Sequence, residues 1–228
     1  MQIIWGAMPE PAKRDRYHHG DLRAALIDTA IGLVAERGVR NFSLAEASRR
    51  LGVAVSAPYA HFADRDDLLA AVAVRAYELL HAELAPETGQ DRPPADRLAA
   101  MARGYVRFAA AHRPLFEVVY EAGLDKARHP EIEAAERPVT DAFLACVRAL
   151  SGGDDAASED LATAIEATAL GHVMLLLDNG TGQEPEAVEL AAGRAAGATL
   201  ALIESRHLLG QPAAARVPQQ PGPARADR

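Results

Sequence analysis

Residues 41–65, NFSLAEASRRLGVAVSAPYAHFADR, constrain the fold more than any other part of this chain. Ser43 precedes an apolar repeat of helical spacing, and Glu46 follows it by three residues, which is the pattern of a capping box at a helix N-terminus. Gly52 then provides a tight turn, because glycine adopts positive φ at little steric cost. The next residues, 55–61, predict a second helix of about two turns that is too short to be stable alone. This order of elements indicates a helix-turn-helix DNA-binding segment.

The rest of the chain predicts longer helices separated by proline and glycine. Before the helix-turn-helix segment, apolar spacing predicts a helix over 19–37 that ends at Gly38. After it, Asp64 and Asp67 are suited to cap a helix over 64–85. Alanine is abundant and alternating strand patterns are lacking, so an all-α fold of about nine helices is expected. The later helices are predicted over 94–111, 130–150, 157–178 and 185–207, with a short one after Pro114.

These helices predict two domains between two tails. Residues 13–65 are expected to form an N-terminal three-helix domain that contains the helix-turn-helix, and residues 66–208 are expected to form a helical body. Residues 1–12 are expected to be a flexible tail. Residues 209–228 are rich in proline, alanine and glutamine and are expected to be disordered.

The charge of the chain is distributed unevenly. Residues 1–65 hold 9 Lys and Arg against 7 Asp and Glu, a net +2, whereas the remainder holds 15 against 25 and the whole chain carries −8. A basic end on an acidic body directs that end toward DNA phosphates. Because the excess is small, we expect a modest non-specific affinity for DNA that depends on dimerisation.

Composition and motifs argue against several other classes of protein. The single cysteine, Cys146, rules out an intramolecular disulfide and suits a reducing cytoplasm. We find no apolar run of membrane-spanning length and no signal peptide. The histidines lack paired ligands at metal-binding spacing, and neither a phosphate loop nor a nucleophile elbow occurs. We therefore expect a cytoplasmic protein that is not an enzyme and uses no metal or cofactor.

Residues 17–72 resemble the N-terminal domain of TetR/AcrR-type transcriptional regulators. The chain departs from the family pattern at Ala54, where Ser or Thr usually caps the recognition helix, and at Ala60, where a basic residue is common. Loss of the cap is expected to cost about 1 kcal/mol of local helix stability. Pro58 is also poorly tolerated beyond a first helical turn. The elements that carry the resemblance are Gly38, Ser43-Leu44, Leu51-Gly52-Val53, Tyr59-x-His61-Phe62 and Asp67-Leu68-Leu69.

The resemblance implies that the second short helix enters the major groove of DNA. The side chains expected to face base edges are Val55, Ser56 and Ala57. Those expected to contact phosphates and fix the register are Ser43, Tyr59, His61 and Arg65. Three basic residues on the N-terminal arm are expected to reach the minor groove or the DNA backbone, with solvated tail charges as an equal alternative: Lys13, Arg14 and Arg16.

The resemblance also implies that the body is a ligand-binding and dimerisation domain. In the family the last two helices usually form the dimer interface, and the predicted helices at 157–178 and 185–207 carry small residues that permit close packing between two chains. The family's C-terminal domains bind inducers, so bulky groups of the body are expected to line a pocket. For both sets of residues, ordinary core packing is the alternative. The expected pocket residues are Met101, Tyr105, Phe108, Phe116, Tyr120, Phe143, His172 and Leu175.

The expected function is that of a dimeric transcriptional regulator, a repressor that an unknown small molecule releases from a palindromic double-stranded DNA operator. Its two recognition helices would lie roughly 34–36 Å apart, one turn of DNA. One alternative is a chromosome-organising DNA-binding protein of the same fold, which would occupy many sites and respond to no small molecule. The other is an all-helical enzyme or scaffold in which residues 41–65 only pack, which would show no salt-dependent affinity for DNA.

Overall fold

The computed structural model describes residues 19–89, 91–182 and 184–210, and within these ranges every regular element is an α-helix or a short 3₁₀ turn. The predicted all-α fold is therefore confirmed. Most of the two predicted tails lies outside the described residues. The eight α-helices are α1 (His19–Arg37), α2 (Leu44–Leu51), α3 (Arg65–Leu84), α4 (Pro94–Ala111), α5 (Arg113–Glu121), α6 (Pro130–Ser151), α7 (Asp155–Asp178) and α8 (Pro185–Glu204).

An apolar core joins α1, α2 and the first half of α3. Leu26 and Leu33 of α1 are fully buried, as are Leu68 and Leu69 of α3. Burial of one such side chain contributes roughly 1.5–3 kcal/mol. Because α2 is too short to be stable alone, this packing rather than helix propensity holds it in place.

Both ends of α2 have the predicted backbone signals. The Oγ atom of Ser43 accepts a hydrogen bond of 3.3 Å from the amide of Glu46, as expected for an N-cap. The second half of the predicted capping box differs, because the Glu46 carboxylate pairs with Arg49 and, at 3.3 Å, with Arg37. At the other end, Gly52 adopts a φ of 67°, a left-handed conformation that glycine accepts without strain.

The segment after this turn is not the predicted two-turn α-helix. It contains a single 3₁₀ turn over Ala57–Ala60. Pro58 explains the difference, because it has no amide proton to donate to the Ala54 carbonyl. That carbonyl instead accepts the amide of Ala57 at 2.9 Å, which is the tighter 3₁₀ pattern. We call residues 55–62 the recognition segment.

Beyond the helix-turn-helix, α3 continues into a helical body in which α4 packs against α3, α6, α7 and α8. Gly104 of α4 allows a close approach to α3, because a Cβ atom there would lie 2.4 Å from Cδ2 of Leu84. Leu98 and Val106 of α4 are fully buried. The buried residues of α3, from Leu68 to Leu84, lie in one core with residues of α1 and α2 and with residues of α4, α5 and α6.

One helix differs from the sequence expectation about membrane-spanning segments. By length and mean hydropathy, α7 reaches the range of a helix that crosses a membrane. The core of a soluble protein also produces such helices, and α7 packs against α4, α6 and α8. Its apolar composition has two sources. Leu161 and Val173 are buried in this core, and Met174 and Leu175 are apolar and exposed.

Candidate DNA-binding surface and ligand cavity

The recognition segment presents large apolar side chains to solvent. Val55 is 54% exposed and Tyr59 is 56% exposed. Ser56 is also exposed, whereas Ala57 is half-buried and Pro58 is buried beneath them. Exposed apolar groups held on a buried base are a feature of contact surfaces.

Two predicted phosphate contacts flank this surface with polar groups that have spare hydrogen-bonding capacity. The exposed Ser43 hydroxyl accepts one hydrogen bond as the cap of α2, and its own proton stays available for donation. The Nε2 atom of His61 is buried and has no hydrogen-bond partner among the described residues. Orphaned buried ring nitrogens are rare, and a phosphate could reach this one only after the His61 side chain rotates toward the surface. The predicted contacts of the arm lie outside the described residues: Lys13, Arg14 and Arg16.

Arg65, the remaining predicted phosphate contact, has internal partners instead. Its Nε atom donates to the Phe42 carbonyl at 3.2 Å, and its Nη2 atom donates to the Val39 carbonyl at 2.5 Å. The Nη1 atom pairs with Asp66 at 3.0 Å. Two of the guanidinium nitrogens thus hold the start of α3 against the connection between α1 and α2, and the third is paired within α3.

Arg40 is a candidate contact that the sequence analysis did not select. It is exposed in the 3₁₀ turn Val39–Asn41, shortly before the cap residue of α2. No ion pair to Arg40 is formed by any residue in the described ranges. Its place just before a helix N-terminus is the sequence signal that would have selected it. The neighbouring arginines form ion pairs, Arg37 and Arg49 with Glu46, and Arg50 with Glu36.

A cavity of about 460 Å³ lies in the body between α3, α4, α5, α6 and α7. This volume is within the range of small-molecule sites, which is roughly 300–1,000 Å³. Most of the wall is apolar, and a few polar groups converge on the cavity. The lining residues are Tyr77, Leu80 and Leu84 of α3; Leu98, Met101, Ala102 and Tyr105 of α4; Tyr120 of α5; Glu136, Val139, Thr140 and Phe143 of α6; and Thr163, Ile165, Glu166, Ala167, Ala169 and Leu170 of α7.

The structure brings half of the predicted pocket residues to this cavity. The four that line it are Met101, Tyr105, Tyr120 and Phe143. Phe108 and Phe116 are instead buried in the core, where the Phe116 ring packs at 4.5 Å from the ring of Tyr120. His172 and Leu175 do not line the cavity either. The Nδ1 atom of His172 donates a hydrogen bond of 2.8 Å to the Thr168 carbonyl, and Leu175 is 66% exposed.

The polar groups of the wall include three phenols and two carboxylates, of which the sequence analysis missed Tyr77, Glu136 and Glu166. The Tyr77 hydroxyl donates to Oε1 of Glu136 at 3.3 Å, and the other oxygen of Glu136 pairs with Lys126. The hydroxyls of Tyr105 and Tyr120 are hydrogen-bonded to each other. Burial, reinforced by the nearby charges, raises the pKa of all three phenols. They are therefore neutral at physiological pH and act as hydrogen-bonding groups.

A second surface feature lies on α7 and α8. Among their outward side chains, Leu175 is 66% exposed and Leu190 is 54% exposed. At Gly193 and Gly197 of α8, a Cβ atom would meet no other atom within 4 Å. These residues, with the exposed Met174 and Leu200, form an apolar face that nothing in the described chain covers. We call this the α7–α8 face.

The described residues contain no cluster of three or more histidine, cysteine or acidic side chains that is suited to hold a metal ion. Cys146 is buried as a free thiol, and burial raises its pKa above the ordinary value. A neutral, buried thiol is a weak nucleophile.

Comparison with known proteins assigns both parts of the chain. Residues 26–72 match the family described as "Bacterial regulatory proteins, tetR family", and residues 98–199 match "Tetracyclin repressor-like, C-terminal domain". No curated protein matches the chain.

Solved structures share the fold over most of the chain. A protein of unknown function from Rhodococcus sp. RHA1 is 28% identical, with a TM-score of 0.65, and covers 87% of this chain and 100% of its own. A tetR family regulatory protein from Rhodococcus RHA1 is 22% identical, with a TM-score of 0.59. The match covers 79% of this chain and 96% of that protein. The transcriptional regulator FadR from Bacillus subtilis, in complex with stearoyl-CoA, is 17% identical, with a TM-score of 0.62. The match covers 80% of this chain and 98% of that protein. The predicted resemblance is confirmed, and the chain belongs to the TetR family of DNA-binding transcriptional regulators.

Proposed function

We propose that this protein is a homodimeric repressor that binds a palindromic operator and is released from it by a small molecule. The observation that carries the proposal is the course of α3. Leu68 and Leu69 are fully buried in the core that α3 shares with α1 and α2, whereas Tyr77, Leu80 and Leu84 line the cavity. A ligand in the cavity therefore contacts the same helix that supports the recognition segment.

This arrangement gives the ligand a route to the DNA-binding surface. The boundary between the proposed DNA-binding domain, residues 13–65, and the proposed ligand-binding and dimerisation domain, residues 66–208, falls at the start of α3. A ligand shifts the protein between two positions of α3 only if it binds them with different affinities. The stearoyl-CoA complex of FadR supports the capacity of this fold to hold a small molecule.

On the DNA, the exposed side chains of the recognition segment would face the bases. In this proposal Val55 and Ser56 contact base edges, with the half-buried Ala57 behind them. Phosphates would be contacted by exposed or unsatisfied polar groups around that surface: Ser43, Tyr59, His61 and, in addition to the sequence prediction, Arg40. Arg65 is assigned a positioning role, because its nitrogens are already bonded within the protein.

The α7–α8 face would form the dimer interface. Its apolar residues are uncovered in one chain, and its glycines would let a partner helix approach closely. Two copies of α7 and α8 would then pack as a four-helix bundle. Such a two-fold arrangement places two recognition segments on successive turns of a palindromic site.

The test is a measurement of DNA binding before and after a change in the recognition segment. DNA fragments selected by the purified protein would be sequenced, and their binding would be followed by fluorescence anisotropy in moderate salt. We expect Tyr59→Phe combined with His61→Ala to weaken specific binding, while Arg137→Ala, an exposed change on α6, leaves it intact. Equal binding by the double variant would refute the phosphate contacts. No preference for any sequence would refute the function.

The alternatives make different predictions in the same experiment. A chromosome-organising protein would select many genomic fragments and would keep its affinity in the presence of every small molecule. An enzyme or scaffold would show neither a salt-dependent affinity for DNA nor a preference for any sequence. The polar network of the cavity favours a ligand-responsive regulator, which we place in the cytoplasm together with its DNA.

A further inference from the structure

We propose that the cavity selects amphiphilic organic cations, apolar molecules that carry a protonated amine, and that Glu166 receives the amine. This inference rests on the proposed ligand response and specifies the chemistry of the effector. The cavity wall contains two carboxylates, Glu136 and Glu166, and no Lys, Arg or His. The sign of its charged groups therefore disfavours anionic ligands and favours cationic ones.

The two carboxylates differ in the partners that the protein gives them. Glu136 is compensated by Lys126 and by the hydroxyl of Tyr77. Glu166 receives no hydrogen bond and no ion pair from any residue of the described chain. Partial burial, together with the charge of Glu136, raises the pKa of the Glu166 carboxyl. An ammonium group beside Glu166 would relieve both effects and would favour its charged form.

The exposure of the wall residues gives the ligand an orientation. Glu166 and Tyr120 belong to the wall and are also exposed, so they lie where the cavity opens to solvent. The wall residues Leu98, Met101 and Ile165 are buried. A charged head at the mouth and an apolar tail among the buried residues would each meet a suitable surface.

Aromatic rings at the mouth strengthen the preference for a cation. Tyr105 and Tyr120 line the cavity and are joined through their hydroxyls, and the ring of Phe116, in the core behind them, packs against both with centroid distances of 6.1 and 4.5 Å. Aromatic faces attract organic cations through the ring quadrupole. Glu166 belongs to the same cavity wall as these two phenols, and like Tyr120 it is exposed. A carboxylate and an aromatic ring therefore both lie where the cavity opens to solvent.

The test compares three amphiphiles that share a tail and differ in the charge of the head. Decylammonium, decanol and decanoate would be titrated, below their micellar concentrations, into the full-length protein without DNA and followed by calorimetry. We expect decylammonium to bind about tenfold more tightly than either of the others, as one charge-assisted contact provides. Equal or tighter binding of decanol or decanoate, or no binding of any of the three, would overturn the inference.

Two variants assign the preference to one side chain. Glu166→Gln removes the charge and keeps the size, so we expect it to weaken decylammonium binding about tenfold with little change for decanol. Glu159→Gln, an exposed change on the same helix and outside the cavity wall, should leave all three affinities unchanged. An unchanged affinity in Glu166→Gln would also overturn the inference. Operator binding by the same samples separates the two hypotheses, because selective DNA binding without cation preference leaves the regulator intact and removes only this inference.

Discussion

The guanidinium of Arg128 forms an ion pair with the carboxylate of Asp64, which joins the connection before α6 to the connection before α3. Asp64 caps α3, because its Oδ1 atom accepts the amides of Asp66 and Asp67 at 2.9 and 3.0 Å. Asp67 in turn accepts the amide of Ala63, directly after the recognition segment, at 2.8 Å. Because α6 also lines the cavity, this ion pair gives the body a second connection to the DNA-binding surface.

We expect Arg128→Ala to reduce the effect of an effector on DNA binding while changing stability little. The pair is exposed, and an exposed pair contributes about 0.2–1 kcal/mol. Its removal would take away one link between the capped end of α3 and the segment before α6, so we expect less of the effect of cavity binding to reach the recognition segment. The measurement is the ratio of operator affinities with and without effector. Arg137→Ala, which breaks an exposed pair with Glu133 farther along α6, is the matched control. Equal ratios in both variants would show that Arg128 does not transmit the effect.

The same ion pair predicts a dependence of stability on pH. The hydrogen bond from Arg128, followed by the backbone amide of Asp67, lowers the pKa of Asp64. A carboxylate with a folded pKa below its unfolded value, about 3.9, stabilises the fold above that value and loses this contribution as the pH falls through the folded pKa. In Arg128→Ala the acid-induced loss should therefore be smaller. The quantity to measure is the difference between the acid-denaturation profiles of the original protein and of Arg128→Ala. Superimposable profile shapes would contradict the assignment.

Local signals in the sequence predicted the regular helices, and they failed where a single residue changed the hydrogen-bonding pattern. The apolar spacing of 19–37 and the stop at Gly38 are properties of the segment itself, so α1 was predictable. The recognition segment depends on Pro58, whose missing amide converts the expected helix into a 3₁₀ turn.

The cavity was only half predictable for a different reason. Bulky apolar side chains such as Phe108 and Phe143 have the same sequence pattern, although one is in the core and the other lines the cavity. Only the packing of five helices separates these two environments. Glu136 and Glu166 were missed because charged residues on a helix are usually solvated. Their position on the wall follows from the crossing of α6 and α7 with α4, which the sequence does not encode locally.

Arg65→Ala should destabilise the DNA-binding domain rather than remove a phosphate contact. Its guanidinium donates to the carbonyls of Phe42 and Val39, and hydrogen bonds of a charged donor are worth about 1.5–3 kcal/mol. Urea denaturation should therefore show a clear loss of stability. Arg65→Lys should not restore it, because an ammonium group is a point charge that lacks the fork needed for two carbonyls. Full stability combined with weakened DNA binding would instead return Arg65 to the role of a phosphate contact.

Gly197→Leu provides a direct test of the α7–α8 face. In the single chain a Cβ atom at this position meets nothing within 4 Å, and replacing a glycine inside a helix by a good helix former gains up to about 1 kcal/mol. The variant chain should thus fold at least as well as the original. In the proposed dimer, however, the added side chain would occupy the space needed for close approach of the partner helix.

We expect this variant to sediment as a monomer, or to dimerise much more weakly, with its helical content intact. Ala149→Leu, which places the same side chain at an exposed position of α6, should sediment like the original protein. Analytical ultracentrifugation over a range of concentrations measures the difference, and circular dichroism verifies the fold. Weakened dimerisation should also weaken binding to a palindromic site more than to a half-site, because only the palindrome requires two recognition segments. A dimer of unchanged affinity in Gly197→Leu would place the interface elsewhere on the chain.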